Sequence, residues 1–124
     1  MQASFTFTGT PKHYIASRTP DLPILFFDPL KLRNQLDVFQ KGFPGLVTYA
    51  IKANDAPEVV ENLSMSGLQT FDVASPVEIM RVRSLCPDAT LHYNNPVRSN
   101  CEIQTGIQAG VTSWSVDCMS QLEK

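Results

Sequence analysis

No apolar run in this sequence approaches the roughly 18–20 residues that a membrane-spanning helix needs, so no membrane is expected as a partner. No basic block or stripe stands out either. The chain has 10 basic and 12 acidic residues and a net charge of −2, which gives no footprint for nucleic acid. Cysteine is sparse: Cys86, Cys101 and Cys118 form neither a disulfide framework nor a CxxC metal pair, and the expectation is three reduced thiols in a cytoplasmic protein. The only histidines, His13 and His92, lie far apart with no zinc-like spacing, so no metal is expected. The glycines (Gly9, Gly42, Gly45, Gly67, Gly106, Gly110) are scattered, and no GxGxxG, P-loop or GxSxG is present. The segment Met1–Phe7 lacks the charged and apolar regions of a signal peptide.

What is present is ordinary globular material, 43% hydrophobic and 18% charged in 124 residues, enough for one modest core. Residues 1–23, with Pro11, Pro20 and Pro23, read as an irregular lead-in with one short strand at the start. Ile24-Leu25-Phe26-Phe27 reads as a buried strand. Asp28-Pro29 then offers an N-cap and a first-turn proline. The helix that follows, with Leu30, Leu32, Leu36 and Phe39 on one face, should end near Gly42.

A pattern then repeats. Strands are expected at Leu46–Ile51, Thr70–Ala74, Ala89–Tyr93 and Val111–Val116. Helices are expected at Pro57–Ser66, with Val59, Val60 and Leu63 inward, after Ser75-Pro76, with Val77, Ile79, Met80 and Val82, and at Ser99–Ala109. Gly67 and Gly110 stand where C-caps belong, and Asp117-Cys118 opens another helix. Strand and helix alternating every 20-odd residues predict βα units around a parallel sheet. An open doubly wound sheet and a (β/α)₈ barrel both fit. Four units are half of a barrel, which typically takes about 250 residues.

In either architecture functional groups gather at the C-terminal strand ends. Those positions hold Lys52-Ala53-Asn54, Asp72 with Ala74-Ser75, Asn94-Asn95-Pro96, and Val116-Asp117, with Glu78 one turn into a helix. Lys52 carries the most chemistry. An amine that attacks an aldehyde needs its lone pair, which desolvation at a barrel mouth would free. On the residues alone, an exposed loop lysine is the favoured reading. Asp72 should face away from Phe71 and Val73 by alternation, as a site group or as a salt-bridged strand-end carboxylate. Glu78 also suits a helix N-terminus, and Asn94-Asn95-Pro96 a turn. Phe5, Phe7, Phe26, Phe27 and Trp114 read as packing.

The run Tyr49-Ala50-Ile51-Lys52-Ala53-Asn54 resembles the cofactor-lysine motif of the group IV pyridoxal-phosphate decarboxylases, whose barrel is of the alanine-racemase type. Phe71-Asp72-Val73-Ala74-Ser75 with Glu78 resembles that family's second-strand motif. Tyr93-Asn94-Asn95-Pro96-Val97-Arg98 resembles the third, and Ser115-Val116-Asp117 with Leu122-Glu123 the fourth. Together they span roughly residues 20–124 in the family's order. Lys-Ala-Asn-Asp and Asn-Pro-Val-Arg most resemble the ornithine decarboxylase branch, with the diaminopimelate branch second.

The resemblance implies an α/β fold, the N-terminal half of a (β/α)₈ TIM barrel at residues 28–124, with residues 1–27 a segment of the family's β-domain. It implies pyridoxal phosphate as cofactor, with Lys52 as its Schiff-base lysine and Asp72 and Glu78 lining the cofactor end. It further implies a basic amino acid as substrate, ornithine to putrescine in polyamine synthesis, and a homodimer for the full-length enzyme. The family's later ring-stacking histidine, glycine-rich phosphate site, acidic partner of the ring nitrogen and C-terminal β-domain have no counterpart in these residues. The chain alone is therefore expected to be a fragment with little or no turnover. A non-catalytic homologue that binds a partner subunit is the alternative.

Overall fold

The computed structural model describes residues 6–124. Among the described residues there are six helices: α1 (Pro11–Arg18), α2 (Pro29–Gly42), α3 (Pro57–Met65), α4 (Pro76–Leu85), α5 (Asn100–Gln108) and α6 (Met119–Leu122). The strands are β1 (Tyr49–Ala50), β2 (Thr70–Val73), β3 (Thr90–Tyr93) and β4 (Ser113–Trp114), and a single 3₁₀ turn, Ile51–Ala53, follows β1.

Helices α1, α2, α4 and α5 each begin where a side chain accepts from free N–H groups. The Asp28 carboxylate accepts from the backbone of Leu30 and Lys31, and Ser75 Oγ accepts from Glu78 N–H. Ser99 and Glu102 form a reciprocal capping box. Proline at the first turn of α2, α3 and α4 fixes φ where no N–H is needed. Gly67 and Gly110 follow helices at φ +95° and +70°, conformations that cost a side chain energy.

All four strands run parallel in the order β1-β2-β3-β4. A doubly wound sheet reverses its order at a switch point. Here the order never reverses, and each consecutive pair of helices from α2 to α5 is in contact. This is the arrangement of a barrel wall, the N-terminal part of a (β/α) barrel. The core lies between sheet and helices. Phe71, Val73, Leu91 and Tyr93 from the strands meet Val60, Leu63, Ile79 and Val82 from the helices. Full burial of each such side chain contributes about 1.5–3 kcal/mol.

Several expectations need correction. The lead-in is not wholly irregular: Thr10 caps α1, and Pro11 occupies its first turn. The strand expected at the very start, with Phe5, lies outside the described residues. Ile24–Phe27 forms no strand, and Leu25 is 93% exposed, because no neighbouring strand offers it a ladder. Phe7, Tyr14 and Phe26 instead pack as a small aromatic cluster with ring centroids 5.0–5.8 Å apart. β1 is shorter than Leu46–Ile51, partly because the Val47 carbonyl accepts from Thr70 Oγ1 at 2.6 Å. Two apolar faces are only half used. Leu36 is buried while Leu30 and Phe39 are exposed, and Ile79 and Val82 are buried while Val77 and Met80 are exposed.

Candidate functional site

The face of the sheet opposite the helices carries small and polar side chains. The register aligns Ala50 with Asp72, Asp72 with His92, and His92 with Ser113. Thr70 and Thr90 are paired two residues earlier. In a parallel ladder, residues in register share a face, so these side chains line what would be the barrel interior. His92 Nδ1 and Ser113 Oγ share a hydrogen bond of 2.5 Å, whereas the buried His92 Nε2 has no partner among the described residues.

Lys52 lies in the turn directly after β1, two residues beyond the Ala50–Asp72 pair. Its neighbour Ile51 is fully buried and anchors the turn. The Tyr49 hydroxyl donates to the Asn54 carbonyl at 3.1 Å, and Ala56 N–H donates to Asn54 Oδ1 at 3.0 Å. Burial pushes the Tyr49 phenol above its usual range, which keeps it a donor. Tyr49 and Asn54 thus brace the loop that presents Lys52. The lysine itself is exposed. The desolvation expected at a barrel mouth is not supplied by four strands.

Asp72 is half-buried and faces away from Phe71 and Val73, as alternation predicts. Among the described residues it has no ion-pair partner. Glu78 is already engaged: its Oε2 accepts from Ala74 N–H at 2.8 Å and closes the turn between β2 and α4. Asn95 Nδ2 donates to the Ala74 carbonyl at 3.2 Å, which ties the loop after β3 to the loop after β2. Asn95 Oδ1 accepts from Val97 N–H, the turn role that Asn-Pro suggests. Asp117 is exposed.

Arg98 entered the sequence reading only as the last residue of the third-strand motif, with no role given to it, yet it organises the ends of β3 and β4. It is 3% exposed. Its guanidinium donates to the carbonyls of Tyr93, Asn95 and Ser115, the last at 2.8 Å. The rings of Tyr93 and Trp114 lie 5.2 and 5.3 Å from its central carbon. The available signal was an arginine two residues beyond Pro96, in the turn at a strand end. Such a fork can collect several free carbonyls.

Among the described residues no group of three or more His, Cys, Asp or Glu could hold a metal. No helix there is long and apolar enough to cross a membrane. The three cysteines are free, with Cys86 buried.

Residues 30–124 match the family model described as the pyridoxal-dependent decarboxylase, pyridoxal binding domain. Ornithine decarboxylase of Mus pahari is 34% identical over 77 residues, which cover 61% of this chain and 16% of that protein. Among solved structures, the lysine/ornithine decarboxylase of Vibrio vulnificus complexed with putrescine superposes at TM-score 0.77 and 24% identity, over 90% of this chain and 31% of that one. Lysine decarboxylase of Selenomonas ruminantium superposes at TM-score 0.78 and 22% identity, over 94% of this chain and 31% of that one. These two likenesses concern the fold. The chain spans under a third of the length of each of these relatives.

Proposed function

Because the chain belongs to the pyridoxal-dependent decarboxylases, through their pyridoxal-binding domain, we propose that it carries the cofactor lysine, Lys52, of an enzyme that decarboxylates a basic amino acid. The observation that carries the reading is the placement of Lys52. Among the described residues the only lysine at a C-terminal strand end, it stands in a turn braced by Tyr49 and Asn54, beyond the polar row of Asp72, His92 and Ser113.

The residues present fit the aldehyde end of pyridoxal phosphate. An exposed primary amine on a fixed turn is open to condensation, and the face behind it is polar with an unpartnered nitrogen at His92. They offer no glycine-rich cradle for the phosphate. When bound, pyridoxal phosphate supplies the electron sink for the electron pair left by departing CO₂. In this reading Lys52 Nζ makes the covalent attachment. Asp72 places a carboxylate on the face that Lys52 overhangs. Glu78 acts on the site through the turn after β2, which it holds by Ala74 N–H.

Ornithine is the proposed substrate and putrescine the product, which would place the enzyme in polyamine synthesis. The Mus pahari relative supports this. Lysine, a basic amino acid of the same chemical class, is a further candidate. Diaminopimelate, the next branch by motif, has only that resemblance behind it. A full-length enzyme of this kind would work as a homodimer. A non-catalytic role in binding a partner subunit is the competing reading, favoured by the exposed Lys52.

Borohydride reduction in the presence of pyridoxal phosphate, followed by peptide mass spectrometry, tests the assignment. A single modified site at Lys52 is expected. Modification spread over the other lysines, with Lys52 spared, would overturn it. Incubation of the 124-residue chain with ornithine and cofactor should release little CO₂. Robust release would show that four strands suffice.

A further inference from the structure

His92 has no role in the reading above, yet its surroundings are unusual. Nδ1 is committed to Ser113 on β4, and Nε2 is buried without a partner. Buried polar atoms are satisfied in the large majority of cases, so an orphan calls for a physical account. The titratable group in register on the other side is Asp72 of β2. Neighbouring strands lie about 4.8 Å apart, so a carboxylate on the same face is within side-chain reach of the imidazole. The nearest other charges belong to different settings. Lys52 stands beyond the row, Glu78 is held by Ala74 N–H, and Arg98 packs against Tyr93, on the helix-covered face.

We propose that His92 is a positioning residue for Asp72, through a Ser113–His92–Asp72 row that crosses three strands beneath Lys52. The proposal rests on the reading of Lys52 as the cofactor lysine only for its functional consequence. Ser113 O–H donates to Nδ1, which fixes the imidazole with its proton on Nε2. The Nε2–H, which has no partner among the described residues, is thereby available to the Asp72 carboxylate in the neighbouring strand and would aim it across the face that Lys52 overhangs. No proton is consumed or released in this arrangement. It orders one carboxylate.

Imidazole ¹⁵N spectra of the 124-residue chain test the row directly. Only His13 and His92 contribute, and His13→Gln assigns them. A single tautomer with the proton on Nε2 is expected for His92. Asp72→Asn should shift the Nε2 resonance and speed exchange of its proton. Ser113→Ala should restore a mixture of tautomers, and Ser113→Thr should preserve the single one. If Asp72→Asn fails to fold, the serine pair and the wild-type tautomer still decide. A proton on Nδ1 in the wild type, or a resonance indifferent to both variants, overturns the proposal.

The functional arm follows the rate at which pyridoxal phosphate becomes trapped on Lys52. His92→Gln should slow that trapping several-fold, and Ser113→Thr should leave it unchanged. Trapping as fast in His92→Gln as in the wild type counts against the row. Absence of any label on Lys52 in the wild type defeats the cofactor-lysine reading instead, and the ¹⁵N result stands apart from it.

Discussion

Gly106 of α5 lies directly against the indole of Trp114 on β4, so close that a Cβ at residue 106 would overlap the far edge of the ring. The indole cannot easily retreat. It stacks on Tyr93 at 5.3 Å between centroids and lies beside the Arg98 guanidinium. Two effects therefore oppose each other in Gly106→Ala. Helix propensity favours alanine by about 1 kcal/mol, and overpacking costs about 1–3 kcal/mol. Overpacking should win, leaving the variant roughly 1 kcal/mol less stable. Urea unfolding followed by tryptophan fluorescence checks this, and a stabilised variant would show that the indole has room to move.

Glu78 separates a local structural role from a role at the cofactor. Its carboxylate accepts from Ala74 N–H at 2.8 Å, and its own N–H donates to Ser75 Oγ. Glu78→Gln keeps an acceptor at the same length and should cost well under 1 kcal/mol. Glu78→Ala removes it, frees the amide of Ala74, and should cost about 1 kcal/mol. Equal stability of the two variants in urea would mean that the Ala74 bond contributes nothing.

The repeat of short apolar runs and capped helices was legible because each signal is local. Asp28, Ser75 and Ser99 cap within three residues, and Gly67 and Gly110 terminate by backbone conformation. Barrel wall and doubly wound sheet could not be separated from periodicity. Strand order is a long-range property, and both folds have the same local pattern. Ile24–Phe27 misled because apolar composition specifies burial and says nothing of a partner strand. Arg98 was missed for a similar reason: its partners lie on β3, on the loop after β3 and after β4, up to 17 residues away. Lys52 was located by its strand-end position, but its exposure follows from how many strands surround it.

Acid should weaken the start of α5. Ser99 N–H and O–H both donate to Glu102 Oε2 at 2.7 Å, and the backbone bond above all holds that carboxyl below its ordinary value of 4.5. A carboxylate with a lowered folded-state pKa contributes stability that is present above its unfolded value. That contribution is lost as pH falls through the folded value. Hydrogen exchange at residues 100–104 should therefore be protected near pH 6 and speed relative to the sheet below about pH 4. Glu102→Gln should flatten that dependence. An acid response unchanged in the glutamine variant would assign it to another carboxyl group.

Arg98 poses a sharper question, because a buried cation with no ion pair among the described residues ought to be costly. Its compensation is three backbone carbonyls and two ring faces. The Tyr93 carbonyl also accepts from Ser115 N–H and would stay satisfied without the arginine. Asn95 and Ser115 hold their carbonyls toward the guanidinium alone among the bonds found here. Arg98→Met keeps the length and removes the donors. If desolvation outweighed the bonds, methionine would match or exceed the wild type, as apolar replacements of buried charges can. Two orphaned carbonyls at about 1–3 kcal/mol each tilt the balance the other way. A loss of roughly 2–4 kcal/mol in urea unfolding is expected. Arg98→Lys should recover less than half of it, since a single ammonium cannot reach carbonyls on both strand ends and stack between two rings. A methionine variant as stable as the wild type would mean that the strand ends are held by Tyr93–Trp114 packing.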